Sequence, residues 1–122
     1  MNIKWQESMK KNQDSIFDLS PKEEAVLTSV FHRERYGLEI IEAVKEASGG
    51  KIKLGFGSLY PTLHKLEEKG YLEARWGDDK PKERGNARRR YYRITGLGEK
   101  VLAEKQQFLN ELAGWEPAWG GV

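Results

Sequence analysis

The chain has 122 residues, no cysteine and a formal net charge of +2 with 33% charged residues. This length suits one domain with a small core, which a second subunit would help to cover. The composition excludes disulfides, zinc–thiolate centres and thiol nucleophiles, and no run reaches the roughly 18–20 apolar residues of a membrane helix.

The N-terminus, MNIKWQESMKKNQD, is polar and has no apolar signal core, so a cytoplasmic protein with no membrane partner is expected. Residues 1–18 carry Ile3, Trp5, Met9, Ile16 and Phe17 without a long periodic stripe. They suit either a tail or an arm that docks on a second subunit. At Leu19 the signals sharpen. Ser20 suits an N-cap, Pro21 the first helical position and Glu23 the return half of a capping box. The first helix then carries Ala25, Val26, Leu27, Val30 and Phe31 on a broad apolar face and is expected to end near Arg33.

A short link through Tyr36 leads to a second helix over about Gly37 to Ala47, where Ile40, Ile41, Val44 and Ala47 recur at helical spacing. Ser48-Gly49-Gly50 ends it. Lys51 to Leu54 alternates polar and apolar, which predicts a short strand. The stretch GFGSLYPTLHKLEEKG, Gly55 to Gly70, predicts a third helix with Leu59, Leu63 and Leu66 as one apolar stripe. Its start is open between Ser58 as N-cap and a start near Gly55. The second choice puts Pro61 inside the helix.

Beyond Gly70 the period changes. Tyr71 to Trp76 suits a strand with Leu72, Ala74 and Trp76 on one face, and Trp76 is expected to pack at the base of a hairpin. Gly77 to Ala87 is a charged, turn-rich loop, and Arg90 to Ile94 suits a second strand with Tyr92 and Ile94 on one side. Thr95 can cap a last helix from Gly96 to about Ala113, and the tail EPAWGGV breaks it. From Arg75 to Arg93 eight basic residues face three acids, a local excess of five in a chain of +2. The positive field therefore belongs to the hairpin, not to the whole molecule.

The order is helix, helix, short strand, helix, strand, basic loop, strand, helix. The expected fold is mainly α with a small antiparallel β hairpin: a winged helix-turn-helix followed by a C-terminal dimerisation helix. The expected plan is an N-terminal extension over 1–18, the winged helix over 19–95, the dimerisation helix over 96–115 and a tail over 116–122.

Tyr36-Gly37, the run Gly57-Ser58-Leu59-Tyr60-Pro61-Thr62-Leu63, Leu66-Glu67 before Gly70, Arg89-Arg90-Tyr91-Tyr92-Arg93-Ile94-Thr95 and Gly98 together resemble the PadR family of bacterial transcriptional regulators. The single C-terminal helix resembles its short-tailed branch. The resemblance implies a homodimer that binds an inverted-repeat operator in double-stranded DNA and usually represses. It implies that the C-terminal helix makes most of the dimer. One departure is Gly55-Phe56, where many relatives carry a Ser-Pro-type start.

On this reading, groove and phosphate contacts fall to Ser58, Tyr60, Pro61, Thr62, His64 and Lys65 on the third helix. Thr62 and Pro61 suit a thymine methyl, and Ser58 and Lys65 suit phosphates. Tyr60 is open between packing and phosphate contact. Lys82, Arg84, Arg88, Arg89 and Arg90 are the backbone-binding candidates of the wing. Alternation along the strand puts Arg88 and Arg90 on one face and Arg89 on the other, with Arg90 and Arg93 also able to pair with acids. Val101, Phe108, Leu109, Leu112 and Trp115 are the candidate dimer interface. Trp5, Trp115 and Trp119 suit interface packing; a small-molecule effector is left open.

His32 and His64 sit on different helices without ligand-like spacing, and no P-loop, dinucleotide or nucleophile-elbow motif occurs. Neither an enzyme, a metal nor a cofactor is expected. The alternative function is a winged-helix protein-interaction module, against which the solvent-facing arginines of the wing argue.

Overall fold

The computed structural model of the chain describes residues 18–78 and 88–120. Among these, four helices stand with a three-stranded antiparallel sheet. Helix α1, Pro21–Ser29, begins as its sequence dictates. The Ser20 hydroxyl accepts from the Glu23 amide at 3.1 Å, and the Ser20 amide donates to Glu23 Oε1 at 2.9 Å. Val26, Leu27 and Val30 are buried. The helix stops at Ser29 instead of near Arg33, because the chain must turn and straighten to enter the sheet.

That strand, β1, is Arg35–Tyr36, with Arg35 opposite Tyr92 and Tyr36 opposite Tyr91. The strand expected over Lys51 to Leu54 does not form. Ile52 is exposed and its amide donates to the Ser48 hydroxyl, and only Leu54 turns inward. Alternation alone makes no strand without a strand to pair with. The sheet is built from β1, β3 and β2 alone, and residues 51–54 pair with none of them.

Helix α2, Gly37–Ala47, buries Ile40 and Val44. Helix α3, Phe56–Glu68, starts from Gly55 as N-cap, so Pro61 lies inside it. It ends in a Schellman arrangement: Gly70 takes φ 80°, the Tyr71 amide donates to the Leu66 carbonyl at 3.0 Å and the Gly70 amide to the Glu67 carbonyl at 3.0 Å. Strands β2, Leu72–Trp76, and β3, Arg90–Ile94, pair antiparallel, with Ala74 opposite Tyr92 and Trp76 opposite Arg90. Leu72 and Tyr92 face the core, but Trp76 does not pack at a hairpin base. It stands exposed at the far end of β2, with the Arg90 guanidinium 5.1 Å from its ring centre.

Helix α4, Gly96–Ala113, is capped by Thr95, whose hydroxyl accepts from the Gly98 amide at 3.1 Å and donates to the Gly70 carbonyl at 2.6 Å. A Cβ on Gly98 would lie 2.5 Å from the Tyr71 carbonyl oxygen, so only glycine lets α4 approach the sheet this closely. The core gathers Leu27, Ile40, Leu59, Leu63, Leu66 and Val101 from all four helices. Lys69, just past α3, fastens α1 by an ion pair to Glu23 at 2.8 Å. No helix of the described residues is long and apolar enough to cross a membrane.

Candidate nucleic-acid interface

The outward face of α3 follows from its inward one. Leu59, Leu63 and Leu66 are driven into the core, which turns Tyr60, Pro61, His64 and Lys65 to solvent. Ser58 is half-buried at the edge, and its carbonyl accepts from the Thr62 hydroxyl at 2.9 Å. Thr62 itself is 8% exposed. The expected contact of Thr62 with a thymine methyl is therefore corrected: its position beside Leu63 and Leu59 points it into the domain. His64 Nε2 lies 3.0 Å from Glu68 Oε1 one turn on, on an exposed surface.

The first turn of α3 is open. No side chain caps it, and no acid stands there to oppose an anion. A Cβ on Gly55 or Gly57 would meet nothing within 4 Å. The sequence reading missed Phe56. It falls close to the angular position of Leu63, seven residues on, yet it is 50% exposed because the first turn runs past the end of the core. Its ring stacks on that of Tyr60, 5.8 Å between centres and 16° between planes, and Tyr60 is 46% exposed. The Tyr60 hydroxyl lies 2.8 Å from where a Cβ on Gly37 would stand. Tyr60 thus rests against the start of α2 and carries Phe56 on its outer side. The Gly55-Phe56 departure was the signal in the sequence.

The wing's charge is largely matched at its base. Arg75 Nε donates to Glu34 Oε2 at 3.0 Å, which holds the Glu34 carboxyl below its ordinary range. Arg93 pairs with Glu73 at 2.7 Å. Arg90 reaches Glu67 of α3 at 3.6 Å while lying over Trp76, so it links α3 to the sheet. Arg89 turns the other way and stacks over Tyr36 at 4.1 Å. Arg88 is exposed. Lys82 and Arg84 lie outside the described residues.

Helix α4 splits along its length. Val101, expected at a dimer interface, is 1% exposed within its own core, so that assignment is corrected. Lys105 pairs with Glu24 of α1 and anchors the middle of the helix. Beyond it, Phe108 and Leu109 are exposed, Leu112 is 60% exposed and Trp115 64% exposed. Trp115 and Trp119 meet edge to face at 6.5 Å. A groove of about 620 Å³ between α1 and α2 is lined by Ala25, Thr28, His32, Val44, Ala47 and Ile52 among others. Among the described residues no cluster of side chains could hold a metal ion.

The model of the Transcriptional regulator PadR-like family matches residues 26–104, from the middle of α1 to the first half of α4. The chain is 32% identical over 79 residues to an uncharacterized protein of Lysinibacillus sphaericus, covering 65% of this chain and 69% of that one. It is 42% identical over 71 residues to the transcriptional regulator Rv3488 of Mycobacterium tuberculosis, covering 57% and 60% of the two chains. A PadR-like transcription factor of Bacteroides fragilis superposes with a TM-score of 0.65 at 25% identity, over 91% of this chain and 93% of that one. Together with the winged-helix architecture, these matches establish that the chain belongs to the PadR-like family of transcriptional regulators, which are DNA-binding proteins and not enzymes.

Proposed function

We propose that the protein is a sequence-specific regulator, most simply a repressor, that binds an inverted-repeat operator as a homodimer in the cytoplasm. Residues 19–95 form the DNA-binding unit and residues 96–115 the dimerisation helix. Helix α3 enters the major groove and the wing lies along the backbone. The observation that carries this reading is the open, glycine-flanked, acid-free first turn of α3, together with an arginine-rich sheet end whose Arg90 reaches Glu67 in the last turn of the same helix. Tyr60, Pro61, His64 and Lys65 face the groove, Ser58 lies at its edge, and Arg88 with the wing tip meets phosphates.

The outer half of α4 supports the dimer. Leu109, Leu112 and Trp115 form an apolar strip that the domain itself does not cover. A two-fold axis lets the same strip of each copy meet the other, and the groove beside α1 offers further apolar surface. Two recognition helices so related should meet half-sites about one helical turn apart.

The test is selection from random duplexes, followed by salt titration on the selected and on a scrambled sequence. An enriched inverted repeat bound far more tightly than scrambled DNA supports the reading. Equal, steeply salt-dependent binding to all duplexes reduces the protein to a general nucleic-acid binder. Absence of binding at low salt favours a protein-interaction module.

A further inference from the structure

Phe56 is expensive where it stands. A phenylalanine at the first position of a helix caps nothing, has modest helix propensity and, at 50% exposure, leaves apolar surface in water. Polar residues serve that position better in a helix that meets only solvent. The Tyr60 ring stacks on one face of it. Tyr60 is in turn seated against Gly37, so the pair forms a supported aromatic step rather than a loose side chain. The glycines on either side of Phe56 add no bulk, and a Cβ at either would meet nothing within 4 Å. Backbone can therefore approach a surface closely here, with one large apolar ring leading.

We propose that Phe56 is a specificity-determining residue of this chain, reading the 5-methyl group of a thymine in each half-site while Tyr60 holds its ring in place. The inference rests on the DNA-binding reading above. The major-groove edge of thymine is the one base edge that offers an apolar group, and a phenylalanine ring is a suitable partner for it. The exposed Arg88 beside β3 supplies electrostatic hold on the duplex and leaves Phe56 to discriminate. A phenylalanine cannot hydrogen-bond a base, so its whole contribution should follow the methyl group and not the O4 acceptor.

The experiment replaces each thymine of the selected operator by deoxyuridine, which removes the methyl and keeps every hydrogen-bonding group. Affinity is measured for the full chain, for Phe56→Ala and for Phe56→Leu. At one thymine per half-site the wild type should lose about fourfold, and about fifteenfold with both half-sites substituted, the effect of one methyl desolvated per site. Phe56→Ala should bind thymine and uracil operators alike, and Phe56→Leu should keep part of the difference. Circular dichroism and unchanged binding to scrambled duplex check that the variants are folded. A uracil penalty that persists in Phe56→Ala, or no penalty at any thymine in the wild type, overturns the inference and leaves the regulator reading standing. Absence of any preferred duplex overturns both.

Discussion

Adding one methyl group at Gly57 should move stability and DNA affinity in opposite directions. Gly57 is the second residue of α3, and a Cβ built there meets no atom within 4 Å, the ring of Pro61 included. Its φ is not in the left-handed region. Nothing inside the chain therefore requires glycine, and Gly57→Ala removes the entropic cost of glycine in a helix. At a terminal-turn position this is worth about 0.5 kcal/mol, or roughly 2–4 °C in Tm for a domain of this size. Against a duplex the same methyl is a bump on the surface that approaches most closely. Forcing a tight contact apart costs about 1 kcal/mol per subunit, so about thirtyfold in Kd for a dimer on its operator. Thermal denaturation and fluorescence anisotropy on the selected operator read the two effects. A contrast sits at Gly98, where the added Cβ would lie 2.5 Å from the Tyr71 carbonyl oxygen and 2.8 Å from Ile94 Cγ1. Gly98→Ala should lower stability by about 1–3 kcal/mol. A Gly57→Ala protein that melts higher and binds its operator as well as the wild type would refute the claim that the first turn of α3 is a close-approach surface.

Other consequences concern the ion pairs and the open helix. Burial works to raise the Glu23 carboxyl, but the Lys69 ammonium and the Ser20 donors outweigh it and hold it below 4.5. A depressed carboxyl stabilises the fold above its unfolded pKa and loses that contribution as pH falls through the folded one. Urea melts from pH 7 to pH 3 should show stability falling below about pH 4.5, and Glu23→Gln should flatten that fall and cost about 1–2 kcal/mol at pH 7. Leu112→Glu should shift the protein toward monomer in sedimentation without changing the domain's circular dichroism, because the site is exposed in one copy. Arg88→Ala should reduce the log–log salt slope of operator binding by about 1.8 for a dimer, one phosphate per subunit. Arg93→Ala, whose charge is already matched by Glu73, should leave that slope near the wild-type value.

Much of this molecule was legible before any tertiary contact. The Ser20–Glu23 capping box, the Leu59–Leu63–Leu66 stripe, the Gly70 stop and the Thr95 cap are local devices, set by side chains three or four residues apart. Local chemistry of that kind needs no partner to be read. Strand β1 was not legible, because two residues carry no period; Arg35 and Tyr36 became a strand only because β3 had an open edge. Lys51 to Leu54 had the period but pairs with no strand of the sheet.

The candidate interface divides in the same way. A stripe of leucines determines most of what α3 points outward, so the exposure of Pro61, His64 and Lys65 was in the sequence, while Thr62, expected outward, is buried and the place of Tyr60 was open. Which arginines are spoken for was not. Arg90 and Glu67 lie 23 positions apart, Arg75 and Glu34 further still, and only the packed sheet brings them together. Trp76 read as an interior residue by periodicity, and its exposure, like that of Phe56, depends on where the core ends along each element. The sequence alone determined the order of the four helices, the Ser20 and Thr95 caps, the inward stripe and the family. The tertiary structure alone decided the third strand, the pairing of the wing's charges and the two exposed aromatic surfaces, because each depends on distances between residues that the chain brings together only when it folds.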